Sequence, residues 1–246
     1  GSGYELVGSP NVAGNTVTAT FRTLPFQPAG TSTSTVSFRV CSSANCSVVY
    51  ANSSKTFTVN LDFQLDDWTT FQRNNRHDAY VAVRYDEDDF ERAWTWQDSS
   101  PEGRIRPAAA SDGRVLIVAG RDGGIPFAGT MRVLALDAQT GVVEWTYDLG
   151  DAFHASGPSI SGGRVHVTSM ANSSSQNPQW VLDLETGSFL NQMKFASQWT
   201  DFNQPAADDA DVYVAAGTSG SVLYGYDAAA GTKVWETTRD GGAVWG

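Results

Sequence analysis

Few side chains in this sequence have the type and spacing for chemistry. There are three histidines, His77, His154 and His166. His154 stands in the run Asp151 to Gly157, two positions before Ser156, and Asp201 lies further along; these are the residue types of a nucleophilic triad. No G-x-S-x-G turn frames Ser156, so the pattern lacks the sharp elbow that exposes a serine nucleophile. Asp86, Asp88 and Asp89, and again Asp208, Asp209 and Asp211, offer the oxygen ligands that calcium takes. Neither run has the twelve-residue loop with its Gly and closing Glu, and solvated turns account for both. Gly120 to Gly124 lacks the Lys and the spacing of a phosphate loop and reads as a hairpin. Cys41 and Cys46 are too far apart for a redox C-x-x-C and too few for a zinc site. A hairpin disulfide is the preferred reading over a pair of free thiols, and it implies an oxidising compartment. The expectation is no catalytic residue, no bound cofactor and no metal.

The elements that would position any site come from a repeat. Asp86, Asp137, Asp183 and Asp227 follow one another at steps of 51, 46 and 44 residues, and eight residues after them stand Trp94, Trp145, Asn191 and Trp235. A period of that length made of short strands means one supersecondary unit copied along the chain. In each copy apolar residues alternate up to the Asp, whose carboxylate can accept bonds from turn amides, and Gly141, Gly187 or Gly231 closes the hairpin at positive φ. Upstream, Pro107, Pro158 and Pro205 each precede a polar turn and a strand. Arg114 to Ala119 and Val212 to Ala216 are almost continuously apolar, as strands buried on both faces must be. Helical periodicity is absent.

With these residues in view the chain resembles the PQQ-like (pyrrolo-quinoline-quinone-like) β-propeller repeats, whose blades carry A-x-D-x-x-T-G-x-x-x-W. Ala135, Asp137, Thr140, Gly141 and Trp145 match it fully; Gly225, Asp227, Gly231 and Trp235 match with two substitutions. The copy ending at Asn191 lacks the Trp, and the segment at Asp86 has Phe90 where Gly is usual. The resemblance implies four-stranded blades docked through Asp86, Trp94, Asp137, Gly141, Trp145, Asp183, Gly187, Asp227, Gly231 and Trp235, with each indole wedged against the next blade. Asp67-Trp68 through Phe71, Asn74 and His77 is similar to the D-W-x-x-F-x-x-N-x-x-H opening of such domains. Family propellers have more blades than the three to four found here, so the propeller is expected to be incomplete and the chain a piece of something larger.

Residues 1–65 differ in kind. They hold two acids and three basic residues, against 25 and 13 in the remainder. Asn15 to Arg22, Thr35 to Cys41 and Lys55 to Phe63 alternate as antiparallel strands. The segment resembles bacterial Ig-like modules, on about a quarter of the chain. The expected fold is therefore all-β: an N-terminal Ig-like β-sandwich over 1–65, then a partial PQQ-like β-propeller of four-stranded blades over 66–246.

In a propeller the links from one blade's outer strand to the next blade's inner strand gather at one mouth of the channel. Arg104 and Arg106, His154, and Asp201 and Asn203 occupy those links and form the candidate funnel-mouth binding residues. His166, a lone imidazole within a strand, reads as a packed or surface residue, and His77 as part of the opening motif. A net charge of −11 disfavours nucleic acid and anionic lipid as partners. No apolar run reaches the ~18 residues of a membrane span, and the Gly-Ser-Gly start has no signal-peptide pattern, so any export signal or lipid anchor is expected outside this chain. The functional expectation is a non-catalytic exported bacterial scaffold, extracellular, surface-bound or periplasmic, with a protein partner or self-association. Two alternatives stay open: a PQQ-dependent quinoprotein dehydrogenase with PQQ and calcium in the funnel, and a repeat subunit of an extracellular filament or oligomer.

Overall fold

The computed structural model describes residues 3–25, 27, 30–43, 45–83, 85, 88, 90–99, 103–123, 129–170, 176–197, 204–216 and 222–238. Asp86, Asp89, Asp201 and Asn203 lie outside the described residues. The chain is all-β and divides into two units, Gly1–Asp66 with Val81–Glu91, and Asp67–Tyr80 with Arg92–Gly246.

The first unit consists of two hairpins, β1 (Tyr4–Ala13) with β2 (Thr16–Thr23) and β3 (Gly30–Phe38) with β4 (Lys55–Phe63). Both arise from alternating Thr/Val/Phe runs. The β3–β4 register places Val36 opposite Phe57, Ser34 opposite Val59 and Ser32 opposite Leu61, which gathers the apolar side chains on one face. The hairpins meet where the Tyr4 hydroxyl donates to Ser34 Oγ at 3.1 Å. Among the described residues, none of the buried hydrophobic ones belongs to this unit. The strands expected from sequence are present, but an Ig-like sandwich would close an apolar core between sheets, and these two hairpins leave theirs half open. Cys41 and Cys46 form a disulfide with Cα atoms 5.0 Å apart.

Among the described residues the second unit contains three blades. In the first, an interrupted inner strand, β5 (Arg104–Ile105) and β6 (Ala109–Ser111), pairs with β7 (Arg114–Gly120), followed by β8 (Arg132–Asp137) and β9 (Val143–Asp148). In the second, β10 (His154–Ala155) and β11 (Ser159–Ser161) pair with β12 (Arg164–Met170), then β13 (Asn177–Asp183) and β14 (Phe189–Phe195). The third runs β15 (Ala206–Ala207), β16 (Asp211–Ala216), β17 (Val222–Asp227) and β18 (Thr232–Thr238). All pairings are antiparallel, and in each of these blades a bulge shifts the register of the last two strands just before the turn Asp. Leu116, Val118, Val133 and Ala135 of the first blade pack on Val165, Val167 and Leu182 of the second, and the second blade's opposite face packs on Val212, Val214 and Tyr226 of the third.

The repeated turns show how blades join. Asp137 Oδ1 accepts from Gln139 N, Thr140 N and the Thr140 hydroxyl, the last two at 2.7 Å, and Asp183 repeats the arrangement with Thr186. These bonds hold both carboxyls below the usual carboxylate range, the threonine hydroxyl being the largest cause. Trp94 Nε1 donates to Ala138 O at 2.9 Å and Trp145 Nε1 to Leu184 O at 3.1 Å, each in the turn of the following blade. Gly187 sits at φ +70° directly beneath the Trp145 ring, where a Cβ would come within 2.5 Å of the indole. Asn191 stands where the third indole would be, and its Nδ2 donates to Ala228 O at 3.1 Å, the same turn position. The missing Trp therefore leaves the polar half of the joint intact and loses only the aromatic half. Trp235 on the outer strand of the third blade is 38% exposed.

The opening motif is a hub. Trp68 exchanges two backbone bonds with Ala110 on the first blade's inner strand. Thr69 O accepts from Ile160 N of the second at 2.7 Å, and Asn75 Nδ2 donates to Ala207 O of the third at 2.6 Å. Ala110, Ile160 and Ala207 occupy equivalent places in three copies, so one short segment ties three inner strands. Within it His77 Nδ1 bonds Phe71 O at 3.0 Å, a structural contact.

Candidate functional site

The inner strands present two chemically different ends. At their hairpin ends a cavity of about 660 Å³ is lined by Asp67, Asp112, Asp208 and Asp209 among others. Three of these acids take local bonds: Asp67 Oδ2 accepts from Ser111 Oγ at 2.6 Å, Asp209 Oδ1 from Ser161 Oγ at 3.1 Å, and Asp208 Oδ1 from Ala210 N and Asp211 N. They are turn acids, as the sequence implies.

The opposite ends carry the candidate mouth residues. Arg104 and Arg106 open the first blade and His154 the second. All three converge on Asp122, the residue two past the end of β7. Arg106 Nη2 lies 2.5 Å from Asp122 Oδ1, His154 Nδ1 lies 3.2 Å from the same oxygen, and Arg104 Nε lies 3.6 Å from Oδ2. The Asp122 loop is held in place because Gly123 N donates to Phe153 O at 2.6 Å and Phe153 N to Met170 O at 2.7 Å, which lays the first blade's loop on the second blade. The Phe153 and His154 rings meet edge to face at 4.6 Å.

Exposure divides these residues by role. The Arg106 and Asp122 side chains are 11% and 17% exposed, a charge-assisted pair that fixes the loop, whereas Arg104 is 72% exposed and turns its remaining donors to solvent. Asp122 was read from sequence only as a hairpin residue; its role appears once β7 is known to end beside β5. Asp201 and Asn203, the other two candidates, fall outside the described residues.

Ser156 does not face His154 as a nucleophile. Its hydroxyl donates to Gly157 O at 2.8 Å, accepts from Thr168 N at 3.1 Å, and is buried. Asp122 already answers two guanidinium groups and an imidazole, and no group of three or more His, Cys, Asp or Glu capable of holding a metal occurs among the described residues.

Sequence reasoning also missed a second ion pair, Arg132 with Asp98 at 2.7 Å, in which the carboxylate side chain is 4% exposed and the arginine 29%. It missed the polar face of the second blade too. His166, Gln179 and Asn177 are fully buried there against the third blade.

The fold and its repeats define a β-propeller unit of PQQ-like blades. A family model described as "Outer membrane protein assembly factor BamB" matches residues 77–244, and the chain belongs to that family. Among solved structures, the chain is similar to a europium-containing methanol dehydrogenase, 16% identical over 72% of this chain and 32% of that one, with a TM-score of 0.52. A quinohemoprotein alcohol dehydrogenase from Comamonas testosteroni is 18% identical over 70% and 27%, with a TM-score of 0.50. BamB from Moraxella catarrhalis is 22% identical over 55% and 48%, with a TM-score of 0.37. The chain thus spans about a third or less of the two dehydrogenases and about half of the BamB chain. No curated protein matches it.

Proposed function

We propose that this protein is a non-catalytic exported scaffold, in which the basic mouth of the propeller unit docks a carboxylate- or carbonyl-rich segment of a partner protein during envelope or cell-surface assembly. The observation that supports this most is the cluster at Asp122. A part-buried Arg–Asp pair anchors the loop and leaves Arg104 exposed as a donor, in a chain whose charge is otherwise strongly negative. Such an arrangement favours acceptor groups and steers acidic segments to one end of the unit. Family membership and a disulfide in the N-terminal unit agree with export.

A photo-crosslinking residue at position 104, introduced into the protein expressed in a bacterial envelope, is expected to capture a discrete partner. Charge reversal at Arg106 should abolish the adduct while leaving the fold unchanged by circular dichroism. An adduct insensitive to Arg106 would overturn the reading. The PQQ-dependent dehydrogenase is the alternative of a different class, and its support is likeness of fold, which does not fix chemistry. Reconstitution with PQQ and calcium should give no quinone absorbance retained on the protein; retention would favour the enzyme instead.

A further inference from the structure

The N-terminal unit has two features at opposite ends of the β3–β4 hairpin, roughly 30 Å apart by strand rise. At one end the fifteen residues Val40 to Ser54 contain no charged side chain. The Cys41–Cys46 disulfide and the Cys41–Val49 bridge brace them, and Ser42 N donates to Val48 O at 3.0 Å and Tyr50 N to Val40 O at 2.9 Å. The Ser53 hydroxyl donates to Tyr50 O at 2.7 Å. With these backbone groups satisfied internally, the tip displays apolar side chains: Val40, Val48 and Tyr50 are 51%, 59% and 56% exposed. A rigid, uncharged knob of this kind loses little entropy on docking.

At the other end is a hollow of about 260 Å³ between Leu24, Pro25, Phe63, Leu65, Val81 and Val83. Thr23, Gln27, Gln64 and Asp66 complete a lining that mixes apolar and polar groups, of a size to take one aromatic side chain with a polar end, such as tyrosine. The charges around knob and hollow are complementary. Arg39 and Lys55 flank the knob, whereas Asp66 lines the hollow and Asp62 stands at its rim, accepting from Gln64 Nε2 at 3.0 Å. The first unit holds eight acids against four basic residues and the second nineteen against twelve, so a knob flanked by basic residues meeting an acid-lined hollow is favoured over contact between like-charged surfaces of two copies.

We infer that copies of this chain associate head to tail, the Val48–Tyr50 tip of one seated in the Leu65-lined hollow of the next. The contact is heterologous: each copy has a knob and a hollow on different surfaces, so association extends beyond a dimer. One small contact gives a weak, concentration-dependent association. The inference is independent of the reading of the propeller mouth, because it uses no residue of the second unit.

The test is sedimentation velocity on the full chain over a wide concentration range, with Tyr50→Asp, Leu65→Asp and a one-to-one mixture of the two. Wild type should pass from monomer to species larger than a dimer. Each variant alone should stay monomeric, and the mixture should form a dimer and nothing larger, since it offers one intact knob and one intact hollow. That dimer also shows that both variants are folded. The gentler pair Val48→Ser and Val83→Ser should shift association to several-fold higher concentration. A wild type monomeric throughout, a mixture that remains monomeric, or variants that still assemble would each overturn the inference.

Discussion

His166 shows how much a single buried side chain can set. It is fully buried in β12, facing the third blade, and neither ring nitrogen has a hydrogen-bond partner with acceptable geometry among the described residues. Burial pushes its pKa down to about 4, Arg164 adds to the shift, and the nearby Ser161 backbone offsets part of it. The folded state thus holds the imidazole neutral where the unfolded chain, with an ordinary value near 6.5, takes up a proton. Stability is full above that ordinary value and falls as the pH drops toward 4, by roughly 3 kcal/mol in total. Urea midpoints measured at pH 7 and pH 5 should differ markedly for the native chain and much less for His166→Leu; equal dependence in both would discard the assignment. Trp145 is the other residue on which much rests. It packs on the core between two blades and bonds Leu184 O, so Trp145→Ala should cost about 3 kcal/mol or more in equilibrium unfolding. A loss under about 1 kcal/mol would mean that the indole does not wedge the blades.

At the scale of elements, the three Asp-to-Gly turns are one device with graded completeness. Asp137 receives two backbone amides and a threonine hydroxyl and Asp183 the amide and hydroxyl of Thr186, whereas among the described residues Asp227 receives the amides of Ala229 and Ala230 and no hydroxyl. Ala230→Thr should supply the absent hydroxyl and stabilise the chain by about 0.5–1 kcal/mol. No change in the thermal midpoint would show that the hydroxyl bond exchanges evenly with water. Most of this level was legible in advance. Asp137, Gly141 and Trp145 state their turn, bulge and wedge in residue type and spacing alone. Asn191 was not legible: an amide in place of an indole reads as a defect, and only coordinates show its Nδ2 reaching Ala228 O. The N-terminal strands were legible from alternation, but their assembly was not, because alternation names a buried face without naming what covers it.

Across the molecule, cohesion is uneven. The blades of the second unit share continuous cores, and the hub at Trp68 to Asn75 adds ties to three inner strands that neighbour-to-neighbour packing would not provide. Asn75→Ala removes the tie to Ala207. Hydrogen exchange should then rise at β15 and β16 while β6 and β7 keep their protection; uniform loosening, or none, would show that the hub does not act blade by blade. The two hairpins of the first unit, with no buried hydrophobic residue among the described ones, should exchange faster than any blade.

Spacing alone determined the blades, their turns and the family, because each depends on contacts within a few residues or within one hairpin. The sequence also put Arg104, Arg106 and His154 on equivalent links of successive repeats. It could not select Asp122, which joins them only because the end of β7 lies beside β5 and the Phe153 backbone pins the loop. Nor could it show the hub reaching three blades, or knob and hollow at the two ends of one hairpin. Local residue patterns encode strands and turns; which charges and surfaces meet across distant parts of the chain depends on how those strands are stacked.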